Sequence, residues 1–173
     1  RMGQVPARTD NAPAILIHAV SLGEVNATRA LVAALEQKRP DLHFIISATT
    51  DTGFNRAVEL YGQHPRVTVI RYPLDFSSAI ARVLDRLRPS AVALMELEVW
   101  PNFLHHCAGR HIPVALLNGR LTEKSFRNYR RFRPLIRPMF RRLARICAQE
   151  EIYARRFVEL GADQVAQLAF DHA

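Results

Sequence analysis

The sequence predicts an α/β protein built on a doubly wound parallel sheet, and three observations carry that expectation. Apolar runs rich in Val, Ile and Leu alternate with stretches of helical periodicity along the chain. Most of these runs are apolar throughout rather than at every second residue, so both sheet faces are expected beneath helices. Pro40, Pro65, Pro73, Pro89, Pro101 and Pro113 all fall between the segments, where a residue that cannot donate a backbone hydrogen bond does least harm.

The strand-like runs are 14–20, 44–48, 67–70, 91–95, 114–117 and 145–148. Helical patterns follow them at 25–38, 54–61, 77–87, 102–108, 124–143 and 151–160. Pro134 and Pro138 are expected to break the fifth pattern into short helices or a loop. Asn102 reads as the N-cap of the fourth helix. The expected result is one domain over residues 1–173 with about six or seven parallel strands, large enough for a real core.

Composition narrows the function classes. No apolar run approaches the roughly 18 to 20 residues needed to span a bilayer, and no signal peptide is visible. Two cysteines, Cys107 and Cys147, offer neither a zinc spacing nor a disulfide framework, which fits a reducing compartment. Cys147 is expected to be a buried thiol. No GxGxxG fingerprint and no Walker A loop occurs. Asp51-Thr52-Gly53 is the tripeptide of aspartic proteases, but a single copy in an α/β pattern excludes that reading. No metal and no cofactor is expected.

Lys and Arg outnumber Asp and Glu by 24 to 16. The excess concentrates between Arg127 and Arg145, a segment that includes Arg130 and Arg131 with Tyr129, Phe132 and Phe140 interleaved. Arginine's planar fork suits phosphate oxygens. An anionic partner is therefore one reading: phosphorylated lipid, an anionic membrane surface or nucleic acid. A solvated helix face resting its arginine stems on the protein is the other.

Candidate site residues gather where strands end, because ligands of open α/β sheets bind in the crevice beyond the carboxyl ends of the strands. Ser21-Leu22-Gly23-Glu24 ends the first run. Glu24 beside Gly23, which lets a substrate approach the backbone, is a candidate general base. The same spacing also fits a capping box, with Glu24 reaching back to the helix start. Thr50, Asp51 and Gly53 form a polar turn that suits an anion, a sugar hydroxyl or simple helix capping. Glu96 and Glu98 stand at the end of the fourth run, where one is expected to face the cleft and the other not. Asn118 and Arg120 end the fifth.

Taken in order, His18–Glu24, Thr49–Gly53, Tyr72–Asp75, Met95–Asn102, Asn118–Ser125 and Ala148–Glu150 resemble the N-terminal half of the 3-deoxy-D-manno-octulosonic acid (Kdo) transferases of lipopolysaccharide synthesis. The resemblance runs from about residue 13 to about 160. It implies a Rossmann-like domain, one half of a GT-B glycosyltransferase, that binds lipid A precursor while CMP-Kdo rests mainly on a C-terminal domain outside these residues. It implies Glu24 as general base, with Glu98 or Glu96 assisting. Ser21, Gly23, Thr50, Asp51, Gly53, Asn118, Arg120, Arg127, Arg130 and Arg131 are then the expected substrate contacts. The enzyme would act at the cytoplasmic face of the bacterial inner membrane, and this half, lacking the family's membrane anchor, would itself be soluble.

The chain departs from the family at its end. Ala169 stands where the family has a functional lysine, so that role does not carry over. The competing reading, from a different class, is a non-enzymatic module that binds nucleic acid through Arg127–Arg145. Under the glycosyltransferase reading no nucleic acid partner is expected, and the basic segment meets lipid phosphates or the anionic membrane surface.

Overall fold

A computed structural model of the chain describes residues 2–97 and 99–167. Glu98 and the tail that contains Ala169 lie outside the described residues. The elements alternate as predicted: β1 (Ala14–Ala19), α1 (Leu22–Lys38), β2 (His43–Ala48), α2 (Asp51–Tyr61), β3 (Val67–Arg71), α3 (Ser77–Leu87) and β4 (Ala91–Met95). The second half runs α4 (Pro101–Gly109), β5 (Val114–Gly119), α5 (Glu123–Arg131), α6 (Arg133–Arg141), β6 (Arg145–Ala148), α7 (Glu151–Leu160) and β7 (Val165–Gln167).

The strands form a seven-stranded sheet in the order β3-β2-β1-β4-β5-β6-β7, and every pairing is parallel. This is the Rossmann order, with the chain reversing direction across the sheet between β1 and β4. Side chains alternate between two cores, as a strand requires. On β1, Leu16 enters one core and Ile17 the other; on β4, Val92 and Leu94 enter the first, Ala93 and Met95 the second. Helices α1 and α2 cover one face through Val25, Val32, Ala57 and Tyr61. Helices α3 to α7 cover the other, where Phe103 and Phe157 are fully buried. That double cover explains why the strands read as unbroken apolar runs.

Three local expectations are corrected. The N-cap of α4 is Trp100, with Pro101 in the first turn, and Asn102 sits inside the helix. The capping bonds come from elsewhere: the Asp75 carboxylate accepts from Asn102 N at 3.2 Å and Phe103 N at 3.0 Å. The fifth pattern is divided into two nine-residue helices as expected, with Pro134 in the first turn of α6, but Pro138 is not a point of breakage. The break falls at Phe132, and Pro138 lies within α6. It removes one helical hydrogen bond, to a carbonyl on Pro134, which is exposed and open to water. Finally, Cys147 is only half-buried, whereas Cys107 is fully buried and its thiol is pushed up to about 12 by desolvation.

Candidate active site

The loops after β1, β2, β3, β4 and β5 meet along one sheet edge, and Glu24, Asp51 and Glu96 all stand on it. The turn after β1 is a capping-box variant, in which the Glu24 carboxylate accepts from the backbone N–H of Val20, one residue before the N-cap Ser21. Ser21 Oγ donates to Glu24 Oε1 at 2.8 Å, Val20 N donates to Glu24 Oε2 at 2.8 Å, and Glu24 N reaches Ser21 Oγ at 3.4 Å. Each carboxylate oxygen keeps a further lone pair, so these bonds orient Glu24 without exhausting it. The capping reading is thus realised, and it leaves the carboxylate able to accept a proton.

Gly23 is not explained by packing. A Cβ there would meet only Ser21 Oγ at 3.9 Å, which is ordinary contact. An exposed glycine in a first helical turn costs backbone entropy relative to alanine, and no neighbouring atom requires it.

Gly53 is different. A Cβ there would lie 2.8 Å from Val20 O and 2.9 Å from Thr50 Oγ1. Thr50 draws the two turns together: its Oγ1 donates to Val20 O at 2.8 Å and accepts from Gly53 N at 3.1 Å. Asp51 is exposed and ion-paired with Arg71, whose guanidinium lies over the Phe54 ring at 4.2 Å. Thr50 and Gly53 therefore brace the Glu24 turn from behind.

Glu96 follows β4 with φ 56° and an exposed side chain, and Asn118 near the end of β5 shares that φ. Left-handed backbone is unusual for a glutamate and tends to persist where the surroundings enforce it. Asn118 Oδ1 accepts from Gln149 Nε2 at 2.7 Å, which ties the β5 and β6 loops together. Arg120 is exposed beside them.

The arginine segment is not gathered at this edge. Its ion pairs lead away from the site: Arg130 lies 3.7 Å from Glu159, and Arg141 lies 3.7 Å from Asp163. Arg145 begins β6 at the opposite sheet edge. Arg127 faces Glu123, at 3.6 Å. Arg131 has no ion pair among the described residues. It stands next to Phe132 and near Leu135, which are 56% and 73% exposed. Only the start of the basic segment is near the site.

Two features escaped sequence reasoning. His18 is fully buried at the end of β1, with Nδ1 2.8 Å from Ser47 Oγ and its ring stacked on Tyr72 at 4.0 Å between centroids. Burial depresses it to about 4. Asp75, noted only within its motif, is the side chain that caps α4. Both act across long sequence separations that periodicity does not reveal.

Among solved structures, the S. aureus MnaA–UDP co-structure superposes with a TM-score of 0.61 over 90% of this chain and 44% of that one, at 14% identity. At that identity the likeness shows the fold alone. The 3-deoxy-D-manno-octulosonic acid transferase of Haemophilus influenzae is 34% identical over 149 residues, 85% of this chain and 34% of that protein. A bifunctional glycosyltransferase/methyltransferase of Fusobacterium nucleatum is 32% identical over 151 residues, 86% of this chain and 23% of that protein. The chain thus spans about a third or less of the length of these two relatives. The model of the family described as 3-deoxy-D-manno-octulosonic-acid transferase (kdotransferase) matches residues 1–170, and the chain belongs to that family.

Proposed function

We propose that this chain is the acceptor-binding, general-base half of an inverting glycosyltransferase that moves Kdo from CMP-Kdo to lipid A precursor. The observation that carries the reading is the pairing of Glu24 with Gly23. The carboxylate is oriented by two hydrogen bonds at the mouth of the sheet's ligand edge, and the glycine beside it leaves open space that packing does not demand.

Inverting transfer needs a base to take the proton from the acceptor hydroxyl as that oxygen attacks and the donor's phosphate departs. Glu24 takes that proton. Ser21 and Val20 N hold the carboxylate in place, and the Thr50–Val20 clasp fixes the turn that carries it. Glu96 assists from the end of β4, or Glu98, which lies outside the described residues, takes that part. Asn118 and Arg120 border the same edge and contact substrate. Neutralisation of the departing CMP comes from the donor-binding part of the enzyme.

Arg131, with Phe132 and Leu135, faces the anionic membrane surface or the phosphates of the acceptor, as suits an enzyme working at the cytoplasmic face of the bacterial inner membrane. No helix among the described residues is long and apolar enough to cross a membrane.

The test is transfer itself. The full-length enzyme, given CMP-Kdo and lipid A precursor, should form Kdo-bearing product. Failure with both substrates present, while nucleic acid binds tightly and in a salt-sensitive way, would overturn the reading.

A further inference from the structure

The loops after β2, β3 and β4 also enclose a cleft that the proposed base does not use. Thr49, Tyr72, Pro73, Leu74, Asp75 and Trp100 line about 210 Å³ of space. Its walls differ in chemistry. Trp100 is 40% exposed, and its indole stands 6.4 Å from the Tyr72 ring, tilted by 37°. Tyr72 is backed by His18 at 4.0 Å and by Phe103 at 5.6 Å. The aromatic wall is therefore braced from the sheet core outwards. Leu74 adds apolar surface, exposed by 43%.

Thr49 supplies the polar group. Its Oγ1 is buried and has no hydrogen-bond partner among the described residues. Buried hydroxyls are nearly always satisfied, so an unsatisfied one calls for a reason. Asp75 is already committed to the N-terminus of α4. Among the described residues no Lys or Arg lines the cleft, so no side-chain cation there favours a phosphate.

An aromatic face, an apolar flank and the unpartnered Thr49 hydroxyl match a neutral pyranose ring. The C–H face of a sugar is weakly positive and lies well on an aromatic ring's negative face, while its hydroxyls both donate and accept. The space is smaller than the roughly 300 Å³ at which drug-sized pockets begin, which suits one ring. Thr49 immediately precedes Thr50, whose Oγ1 holds the turn that carries Glu24. The cleft thus adjoins, through Thr49, the residue that clasps the turn carrying Glu24.

We infer that the cleft is a monosaccharide subsite, in which one pyranose ring of the acceptor stacks on Trp100 and places a hydroxyl on Thr49 Oγ1. The assignment of the ring to the acceptor rests on the function proposed above.

Steady-state kinetics of the full-length enzyme test it. Trp100→Ala should raise the acceptor KM at least about tenfold, with the donor KM and the kcat at saturating acceptor little changed. Trp100→Phe, which keeps a stacking face, should recover most of the loss, and Thr49→Val should raise the acceptor KM without altering the melting temperature. An unchanged acceptor KM in Trp100→Ala overturns the subsite while leaving the base assignment standing. A wild-type enzyme that transfers nothing fails the function reading instead, and a second measurement then decides the subsite. Trp100 is the single tryptophan of these 173 residues, and the part of the full-length enzyme's fluorescence that Trp100→Phe removes reports on the cleft. Titration with a deacylated glucosamine disaccharide should give a saturable change that Thr49→Val weakens. A flat titration up to millimolar sugar overturns the proposal.

Discussion

The turn after β1 and the turn after β2 are built from similar parts. Each starts a helix from a hydroxyl N-cap, Ser21 or Thr50, whose oxygen accepts from the backbone three residues on. Each contains a glycine within its first turn. In the second turn the glycine is forced, because any side chain at Gly53 would strike Val20 O and Thr50 Oγ1. In the first turn nothing forces it, since a Cβ on Gly23 meets no atom closer than 3.9 Å. The second turn is a brace, whose residues are accounted for by what they hold. The first holds a carboxylate in the open and keeps the space around it clear. A motif residue that packing explains is weak evidence of function; one that packing leaves unexplained is stronger.

The largest stability effect belongs to the bracing side. Asp75→Ala removes both bonds that cap α4, each from a charged acceptor, and should destabilise the chain by about 3 kcal/mol. Urea denaturation reads this directly. A loss below about 1 kcal/mol would mean that α4 caps itself through Trp100 and that the brace is not needed.

His18 anchors the floor beneath the first turn and makes stability depend on pH. Its folded value of about 4 lies below the ordinary 6.5 because burial disfavours the charged ring. The unfolded chain therefore binds a proton more readily across that window, so stability is full above about pH 6.5 and falls as pH drops towards 4. Between about pH 7.5 and 4.5 the loss should approach 2.5 kcal/mol. His18→Gln should flatten that slope relative to the parent, as followed by melting temperature across the range. An unchanged slope would place the pH dependence elsewhere.

The two glycines give the sharpest contrast. Gly53→Ala pushes a Cβ against backbone and should cost about 2 kcal/mol. Gly23→Ala should do the reverse, raising stability by about 0.5 to 1 kcal/mol through the unfolded state while lowering turnover of the full-length enzyme. If Gly23→Ala left turnover intact, the open space beside Glu24 would have no role in the reaction.

Much of this architecture was legible from local pattern. The apolar runs located six strands because burial on both faces makes such runs continuous, and Ser21-x-x-Glu24 announced its capping box through spacing alone. What escaped were couplings between distant residues. Asp75 caps a helix that begins 26 residues later, so Asn102 looked like the cap by proximity. The His18–Tyr72 stack joins β1 to the loop after β3. The arginines looked like one patch because sequence adjacency does not show that α5 and α6 carry them from the site edge to the opposite edge. Pro138 was misjudged because the helix it sits in is short, and the carbonyl it leaves without a helical partner belongs to the exposed Pro134. β7 is only three residues long and ends on Gln167, which left it without a clear strand signal.

The central claim is that the Glu24 carboxylate, held in its capping box, accepts the acceptor's proton. Turnover of full-length Glu24→Gln at saturating CMP-Kdo and lipid A precursor, with its melting temperature measured alongside, tests this most directly. Glutamine keeps the capping geometry but cannot serve as the base, so turnover should fall at least about a hundredfold, with acceptor affinity and melting temperature nearly unchanged. A variant that turns over at the parental rate but melts several degrees lower would contradict the claim and leave Glu24 as a helix cap alone.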